Sequence, residues 1–240
     1  MKHIGILAHS ADGAALCFLE IVRMSARILG AHEHPEMTMS ILPMGPTLPA
    51  YERGDLAAVN AYLLQTAQRL ADSRCDFFVC PDNTAHIAMD SATAPYPLPG
   101  LHIADVVAQE AKASGYKLVG LLGTRWTVEG LSYPAAFARA GVGLLLPKED
   151  DRATVDRTIF EELCLGIISP DSRAKFVSII EYLQKNGCDS VALGCTEIPL
   201  LITPEVSPIP TLDSTGLLAK AAAAVATGRQ PLPTWRGGPQ

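Results

Sequence analysis

Two stretches decide how this chain folds. Cys75-Asp76-Phe77-Phe78-Val79 leads through Cys80 into Pro81-Asp82-Asn83-Thr84, and Cys188-Asp189-Ser190-Val191-Ala192 leads through Leu193 into Gly194-Cys195-Thr196-Glu197. Each opens on Cys-Asp, runs into a short apolar segment and ends in a polar turn, and the two lie 113 residues apart. A second echo, at a spacing of 115, joins Lys2-His3-Ile4-Gly5-Ile6-Leu7 to Lys117-Leu118-Val119-Gly120-Leu121-Leu122. Near-equal spacings at two separate strands predict two α/β halves built on one plan. A third echo points the same way: Asp105 follows the strand ending near Ile103 and Asp213 the strand ending near Pro210, each opening a helix.

Working outward, short apolar runs bounded by Gly, Pro or Asp alternate with longer stretches of helical periodicity, the pattern of parallel strands joined by crossover helices. Strands are predicted at His3–Ala8, Met37–Leu42, Asp76–Cys80, Gly100–Ile103, Leu118–Gly123, Gly143–Leu146, Ser190–Gly194 and Ser207–Pro210. Helices are predicted over 13–30, 55–72, 84–91, 104–114, 130–140, 152–164, 172–186, 196–202 and 214–227. The expected domains are a first half of residues 1–104 plus 214–229 and a second half of 105–213. Residues 230–240, with three Pro and two Gly, are expected to form a flexible tail.

Composition removes several classes of function. The chain has 240 residues, 48% hydrophobic and only 18% charged, so a disordered or charge-solvated protein is excluded. Nineteen basic against twenty-five acidic side chains leave a net charge of −6, and no stretch gathers Lys or Arg densely enough to neutralise a run of phosphates. Nucleic acid is not an expected partner. The apolar segment Leu217–Ala226, interrupted by Lys220, is far short of the roughly 20 residues a bilayer needs. Met1 runs straight into a strand pattern with no signal-peptide h-region, which predicts a cytoplasmic protein. The six cysteines match no zinc or disulfide spacing and read as reduced thiols. His32-Glu33-His34-Pro35-Glu36 reads as a solvated loop, since no third ligand follows at a metal-binding spacing, and no glycine pattern marks a nucleotide site.

The repeat carries chemistry with it. At a spacing of 113, Asp82 falls on the same position as Cys195, each just past the C-terminal end of a strand where a helix begins, the place where open α/β sheets bind ligands. Free N–H groups at such helix starts can hold a carboxylate, and a helix start is expected to favour the Cys195 thiolate. Two halves facing each other across a cleft would set one acid/base group on each side of a small anionic substrate. Asp82 equally suits a helix N-cap, as do Asn83 and Thr84. Glu197 either completes a proton network beside Cys195 or only favours the first helical turn. His86, one turn into its helix, could orient a carboxylate, donate to Asp82 or be a core histidine. His9 and Ser10, which match Thr124 and Arg125 at the spacing of 115, are candidate substrate contacts.

Val191-Ala192-Leu193-Gly194-Cys195-Thr196-Glu197-Ile198-Pro199-Leu200-Leu201 resembles the second signature of the cofactor-independent aspartate/glutamate racemases, within the Asp/Glu/hydantoin racemase superfamily. Pro81-Asp82-Asn83-Thr84-Ala85-His86 resembles their first, and the likeness extends through Leu121-Leu122-Gly123-Thr124-Arg125-Trp126-Thr127 and Glu162-Leu163-Cys164-Leu165-Gly166 to nearly the whole chain. The resemblance implies two pseudo-symmetric, flavodoxin-like parallel-sheet halves with the active site in the cleft between them. It further implies a homodimer that needs neither pyridoxal phosphate nor metal. In such enzymes two cysteines flank the substrate, one removing the α-proton and the other delivering one from behind. The positions it assigns are Cys195 as one acid/base group, with Asn83, Thr84, Thr196 and Thr124, and with them Thr127, as holders of the substrate's carboxylates.

The sequence departs from the family where the chemistry is done. Asp82 stands where members usually have the first cysteine, and Cys80 lies two residues back along the strand, about 6 to 7 Å away. Cys164 replaces a lysine that many aspartate racemases carry, and His9-Ser10-Ala11-Asp12-Gly13 replaces a Gly-rich turn; Arg53 is the nearest candidate for the arginine that grips a distal carboxylate. Unperturbed Asp and Cys differ by about 4 to 5 pH units, and burial is expected to raise Asp82 and narrow that gap. The expected function is an amino-acid racemase or epimerase using Cys195 and Asp82. The alternatives are a cofactor-free decarboxylase, isomerase or lyase that uses Cys195 on a small carboxylate, or a catalytically silent carboxylate-binding protein.

Overall fold

The computed structural model describes residues 1–236 and divides into two compact units, Met1–Val106 joined by the chain from Thr215 onward, and Val107–Ser214. In chain order the first unit contains β1 (Ile4–Ala8), α1 (Ala11–Leu29), β2 (Met37–Ile41), α2 (Leu48–Glu52), α3 (Leu56–Asp72), β3 (Phe77–Val79), α4 (Asn83–Asp90) and β4 (Gly100–Leu101). Helix α5 (Ile103–Ala113) runs on into the second unit. There follow β5 (Leu118–Gly123), α6 (Arg125–Glu129), α7 (Ser132–Ala140), β6 (Gly143–Leu145), α8 (Glu149–Glu161), α9 (Pro170–Lys185), β7 (Ser190–Gly194), α10 (Ile198–Leu201) and β8 (Thr211–Asp213). Helix α11 (Ser214–Ala226) returns the chain to the first unit. Among the described residues no helix is long and apolar enough to cross a membrane.

Both sheets are parallel and four-stranded, with the same order: β2-β1-β3-β4 and β6-β5-β7-β8. Their registers also coincide. Ile4 lies opposite Phe77 and Gly5 opposite Phe78, while Val119 lies opposite Ser190 and Gly120 opposite Val191. The spacings of 115 and 113 read from the sequence are therefore those of the two central strand pairs. Side chains repeat the plan: Asp76 accepts the His3 N–H at 2.7 Å, and Asp189 accepts the equivalent Leu118 N–H at 3.4 Å together with the Lys117 N–H at 2.7 Å. Gly5 and Gly120 are small for the same reason. A Cβ at Gly5 would lie 3.1 Å from Leu70 Cδ1, and one at Gly120 2.6 Å from Leu183 Cδ1, the leucines being 113 residues apart on α3 and α9.

Apolar residues on both faces of these central strands make the cores, as expected for sheets covered on two sides. In the first unit Ile4, Ile6, Phe77 and Val79 pack with Ala14, Cys17 and Ile21 of α1 and with Leu218, Ala219 and Ala222 of α11. In the second, Val191 and Leu193 pack with Val155 and Ile159 of α8 and Phe176, Ile180 and Leu183 of α9.

The structure departs from the expected elements in four places. The last strand is Thr211–Asp213 rather than Ser207–Pro210, because Pro208 and Pro210 have no N–H to give a ladder; only the Pro210 carbonyl joins it, accepting from Val191 N at 2.9 Å. The Asp105/Asp213 echo dissolves with that shift: Gly100 and Thr211 hold equivalent registers, which puts Asp213 opposite His102 in the plan and leaves Asp105 inside α5. The expected helix over 130–140 is α7, and the five-residue helices α6 and α2 were not foreseen, being too short to show a period.

The fourth departure is the expected flexible tail, whose residues 237–240 lie outside the described ones. Trp235 stacks on His86 (ring centroids 5.3 Å apart, 14° between planes) and meets His102 edge-on, while its carbonyl accepts the Gly100 N–H at 2.9 Å. Arg236 donates to Ala92 O at 2.6 Å. An aromatic ring and a guanidinium find partners in tertiary structure that a Pro/Gly-rich composition does not announce.

Gly100 sits beneath this strap. A Cβ there would stand 2.5, 2.7 and 2.9 Å from three ring atoms of Phe78, which is fully buried against Tyr96. Gly100→Ala is expected to lower the urea unfolding free energy by about 1 to 3 kcal/mol, the usual cost of overpacking a rigid core group.

Candidate active site

In the first unit β3 ends at Val79, and Cys80 and Pro81 lead into Asp82, which caps α4. Asp82 is in extended conformation (φ −149°, ψ 110°) and its Oδ1 accepts the Ala85 N–H at 3.1 Å, so the N-cap expectation holds. Its other oxygen does more. Oδ2 lies 2.5 Å from His9 Nδ1, and His9 Nε2 lies 3.0 Å from Thr47 Oγ1, which donates to Met44 O at 2.7 Å. His9 follows β1, Thr47 immediately precedes α2, and the sheet order brings both to the end of β3.

Asp82 and His9 are nearly closed off from solvent, 9% and 3% exposed. Burial by itself would raise Asp82, but the His9 charge, the bonds from His9 and Ala85 and the field of His86 outweigh it, and the carboxyl is held below its ordinary value. This corrects the expectation that burial would raise it: the carboxylate has a basic partner already in place.

His86 is fully buried. Its Nδ1 donates to the Asp82 carbonyl at 2.9 Å and its Nε2 accepts the Ile103 N–H at 3.2 Å. With both ring nitrogens committed to main chain, it ties α4 to the start of α5 and has no nitrogen for Asp82's carboxylate or for a ligand. His9 likewise has both nitrogens engaged, one with Asp82 and one with Thr47. Ser10 caps α1, its Oγ accepting the Gly13 N–H at 3.3 Å. Asn83 and Thr84 open α4, Asn83 buried and Thr84 partly so. Cys80 is fully buried, and desolvation with the nearby Asp82 charge pushes its thiol well up. Arg53 lies exposed at the end of α2.

In the second unit β7 runs through Gly194 into Cys195, Thr196 and Glu197, and α10 follows. Glu197 Oε2 accepts twice, from Cys195 Sγ at 2.9 Å and from Thr196 Oγ1 at 2.7 Å. Burial, then the Glu197 charge and hydrogen bond, push the Cys195 thiol well above its ordinary value. A thiolate favoured by a helix start is therefore not what the turn provides: α10 has four residues and little dipole to offer, while a carboxylate stands beside the sulfur.

Thr124 caps α6, its Oγ1 accepting the Thr127 N–H at 3.2 Å and lying 3.1 Å from Thr127 Oγ1. The methyl of Thr127 fills the space over Gly123 and Gly194, where an added Cβ would come within 3.1 and 3.3 Å of it. Thr47 escaped the sequence reading altogether, for it belongs to no motif and meets His9 only through the sheet order.

Duplicated parallel α/β units, each with a proton-carrying side chain at the same turn, define the class of protein. Known proteins place it further. The family model for Asp/Glu/hydantoin racemases matches residues 14–222, and the chain belongs to that family, whose activity is isomerisation. It is 23% identical over 224 residues to the broad specificity amino-acid racemase RacX of Bacillus subtilis strain 168, covering 91% of this chain and 95% of RacX. It is 31% identical over 170 residues to the glutamate racemase of Beutenbergia cavernae, covering 68% of this chain and 56% of that protein. The chain spans little more than half the length of the glutamate racemases it matches. A solved candidate Asp/Glu racemase of Yersinia pestis superposes with a TM-score of 0.86 at 32% identity, over 95% of this chain and all of that one. PH1733, an aspartate racemase homologue from Pyrococcus horikoshii OT3, shares the fold with a TM-score of 0.79 at 24% identity, over 95% of this chain and all of that one.

Acid should find the weak point of the first turn. Burial and the neighbouring His102 push His86 down to about 4 from an ordinary 6.5, because a second ring proton would displace the Ile103 bond. In the unfolded chain the ring protonates near 6.5, so stability is complete above that pH and falls as pH drops toward 4, by up to about 3 kcal/mol. Urea unfolding at pH 7.5 and 4.5 is expected to show this slope in the wild type and to lose most of it in His86→Asn.

Proposed function

We propose that the protein racemises or epimerises a free amino acid without pyridoxal phosphate or metal, with Cys195 and Asp82 as its two acid/base groups. The observation that carries this is the pairing of unlike groups at equivalent turns: the first holds a carboxylate in its ionised form, the second a thiol in its protonated form. One group is poised to accept a proton and the other to give one. Removal of the α-proton by one and delivery from the other inverts Cα, the electron pair resting meanwhile next to the substrate carboxylate.

Glu197 holds the Cys195 S–H and is placed to take that proton when the thiolate is needed. Asn83 and Thr84 at the start of α4, Thr124 and Thr127 at α6, and Thr196 supply the short polar groups and helix-start N–H donors that suit the α-carboxylate. Ser10, the N-cap of α1, directly follows His9. The family resemblance supports a homodimer working in the cytoplasm, and the breadth in RacX's name makes a wide amino-acid panel the right screen.

The test is solvent deuterium exchange at Cα, followed by proton NMR on both enantiomers of such a panel. Exchange accompanied by appearance of the mirror image is expected in the wild type. Cys195→Ala should lose about 10² to 10⁴ of the rate, and Asp82→Asn, which can still cap α4, a comparable factor. A folded protein that exchanges no amino acid would sink this reading. The unlike pair also suits one-way chemistry in which Cys195 alone protonates an enediolate; a product other than the mirror image would replace racemisation with a decarboxylase, isomerase or lyase.

A further inference from the structure

Hydrogen-bond accounting around His9 leads one step beyond the assignment of Asp82. Thr47 Oγ1 has a single proton and gives it to Met44 O, so toward His9 it can only accept, and His9 Nε2 must carry a proton. His9 Nδ1 and Asp82 Oδ2, 2.5 Å apart, then need one further proton between them, since two bare acceptors would repel at that distance. That proton sits on the imidazole or on the carboxyl, but the pair holds it in either case.

We propose that the proton carrier of the first turn is the His9–Asp82 pair, sharing one exchangeable proton, with Thr47 as the residue that fixes the imidazole tautomer. The inference rests on the racemase reading and replaces a lone carboxylate in it. Asp82 alone, beside an imidazolium, is a feeble base toward a Cα–H. When the shared proton has gone, the pair is a carboxylate beside a neutral imidazole, and a proton broken from Cα fills the space between Oδ2 and Nδ1. In the opposite direction the shared proton leaves for the Cα electron pair, a C–H bond forms, and the pair is left one charge more negative. Cys195 makes the converse step, S–H to thiolate or back, so each inversion moves one proton in and one out.

The surroundings isolate this titration. Tyr51 on α2, Tyr96 and Cys80 are pushed up by burial and stay protonated, His86 on α4 is pushed down and stays neutral, and Cys17 on α1 is fully buried beside Cys80. An ionisation seen at this turn therefore belongs to the His9–Asp82 pair as a unit.

Two measurements decide it. In the free wild-type protein, nitrogen-15 and proton NMR of the histidine rings should show His9 with Nε2 protonated throughout and a strongly downfield Nδ1 proton that disappears in Asp82→Asn; an Nε2 without a proton, or a ring whose titration ignores Asp82→Asn, overturns the proposal whatever the enzyme's substrate proves to be. In the active enzyme, His9→Gln should lower kcat about 10- to 100-fold with KM changed less than about threefold, and displace the limb of the pH–rate profile assigned to the first turn. Thr47→Val should shift that limb in part, and Thr47→Ser should restore it. If His9→Gln instead raises KM and leaves the pH profile in place, His9 is a substrate contact and the proposal fails. An inactive wild type with the shared proton present would discard the racemase reading and keep the pair.

Discussion

Parallel pairing of β1 with β3, and of β5 with β7, in a common register is the constraint on which the rest of the molecule depends. Glycine accompanies it in both units: Gly5 and Gly120 let Leu70 and Leu183 press a helix against the sheet at a distance no Cβ would allow without displacing them. With those strands fixed, the residue three places beyond the equivalent Val79 or Ala192 must emerge at the carboxyl edge of the sheet. In one unit that residue is Asp82 and in the other Cys195. The two turns are thus chemically different solutions grown on the same backbone.

Their environments push the two groups in opposite senses. Asp82 is buried beside a histidine and remains a carboxylate; Cys195 is buried beside a glutamate and remains a thiol. Burial disfavours charge in both cases, and the sign of the neighbour decides whether charge survives. Each neighbour lies within hydrogen-bond distance, so each turn is a pair rather than a single residue, and moving a proton at either turn involves the partner as well.

Around the first turn the histidines divide the work by their bonding. His86 spends both ring nitrogens on main chain and braces α4 against α5, with Trp235 stacked on its face. His9 spends its nitrogens on a hydroxyl and a carboxylate, groups whose protons can move. The same side chain is a brace in one place and a proton partner a few ångströms away, and the difference is whether its acceptor can itself titrate.

The amino-acid order determined a good deal by itself. The Cys-Asp and Lys-x-x-Gly echoes specify the duplication, the alternation of apolar runs with helical periods specifies parallel sheets, and the Pro-Asp-Asn-Thr and Gly-Cys-Thr-Glu turns mark the proposed site and the family the chain belongs to. These are local features, written in neighbouring residues through caps, glycines and periodicity. What only the tertiary structure decided are the partners: His9 reaches Asp82 across 73 positions and Thr47 across 38, and Trp235 reaches His86 from the far end of the chain. It likewise decided that the four-residue α10 leaves Cys195 to its carboxylate neighbour, and that the last strand begins only after the two prolines, at Thr211. Such contacts follow from which strands lie side by side, and a hydrogen bond between residues far apart in sequence exists only once the sheet has brought their ends together.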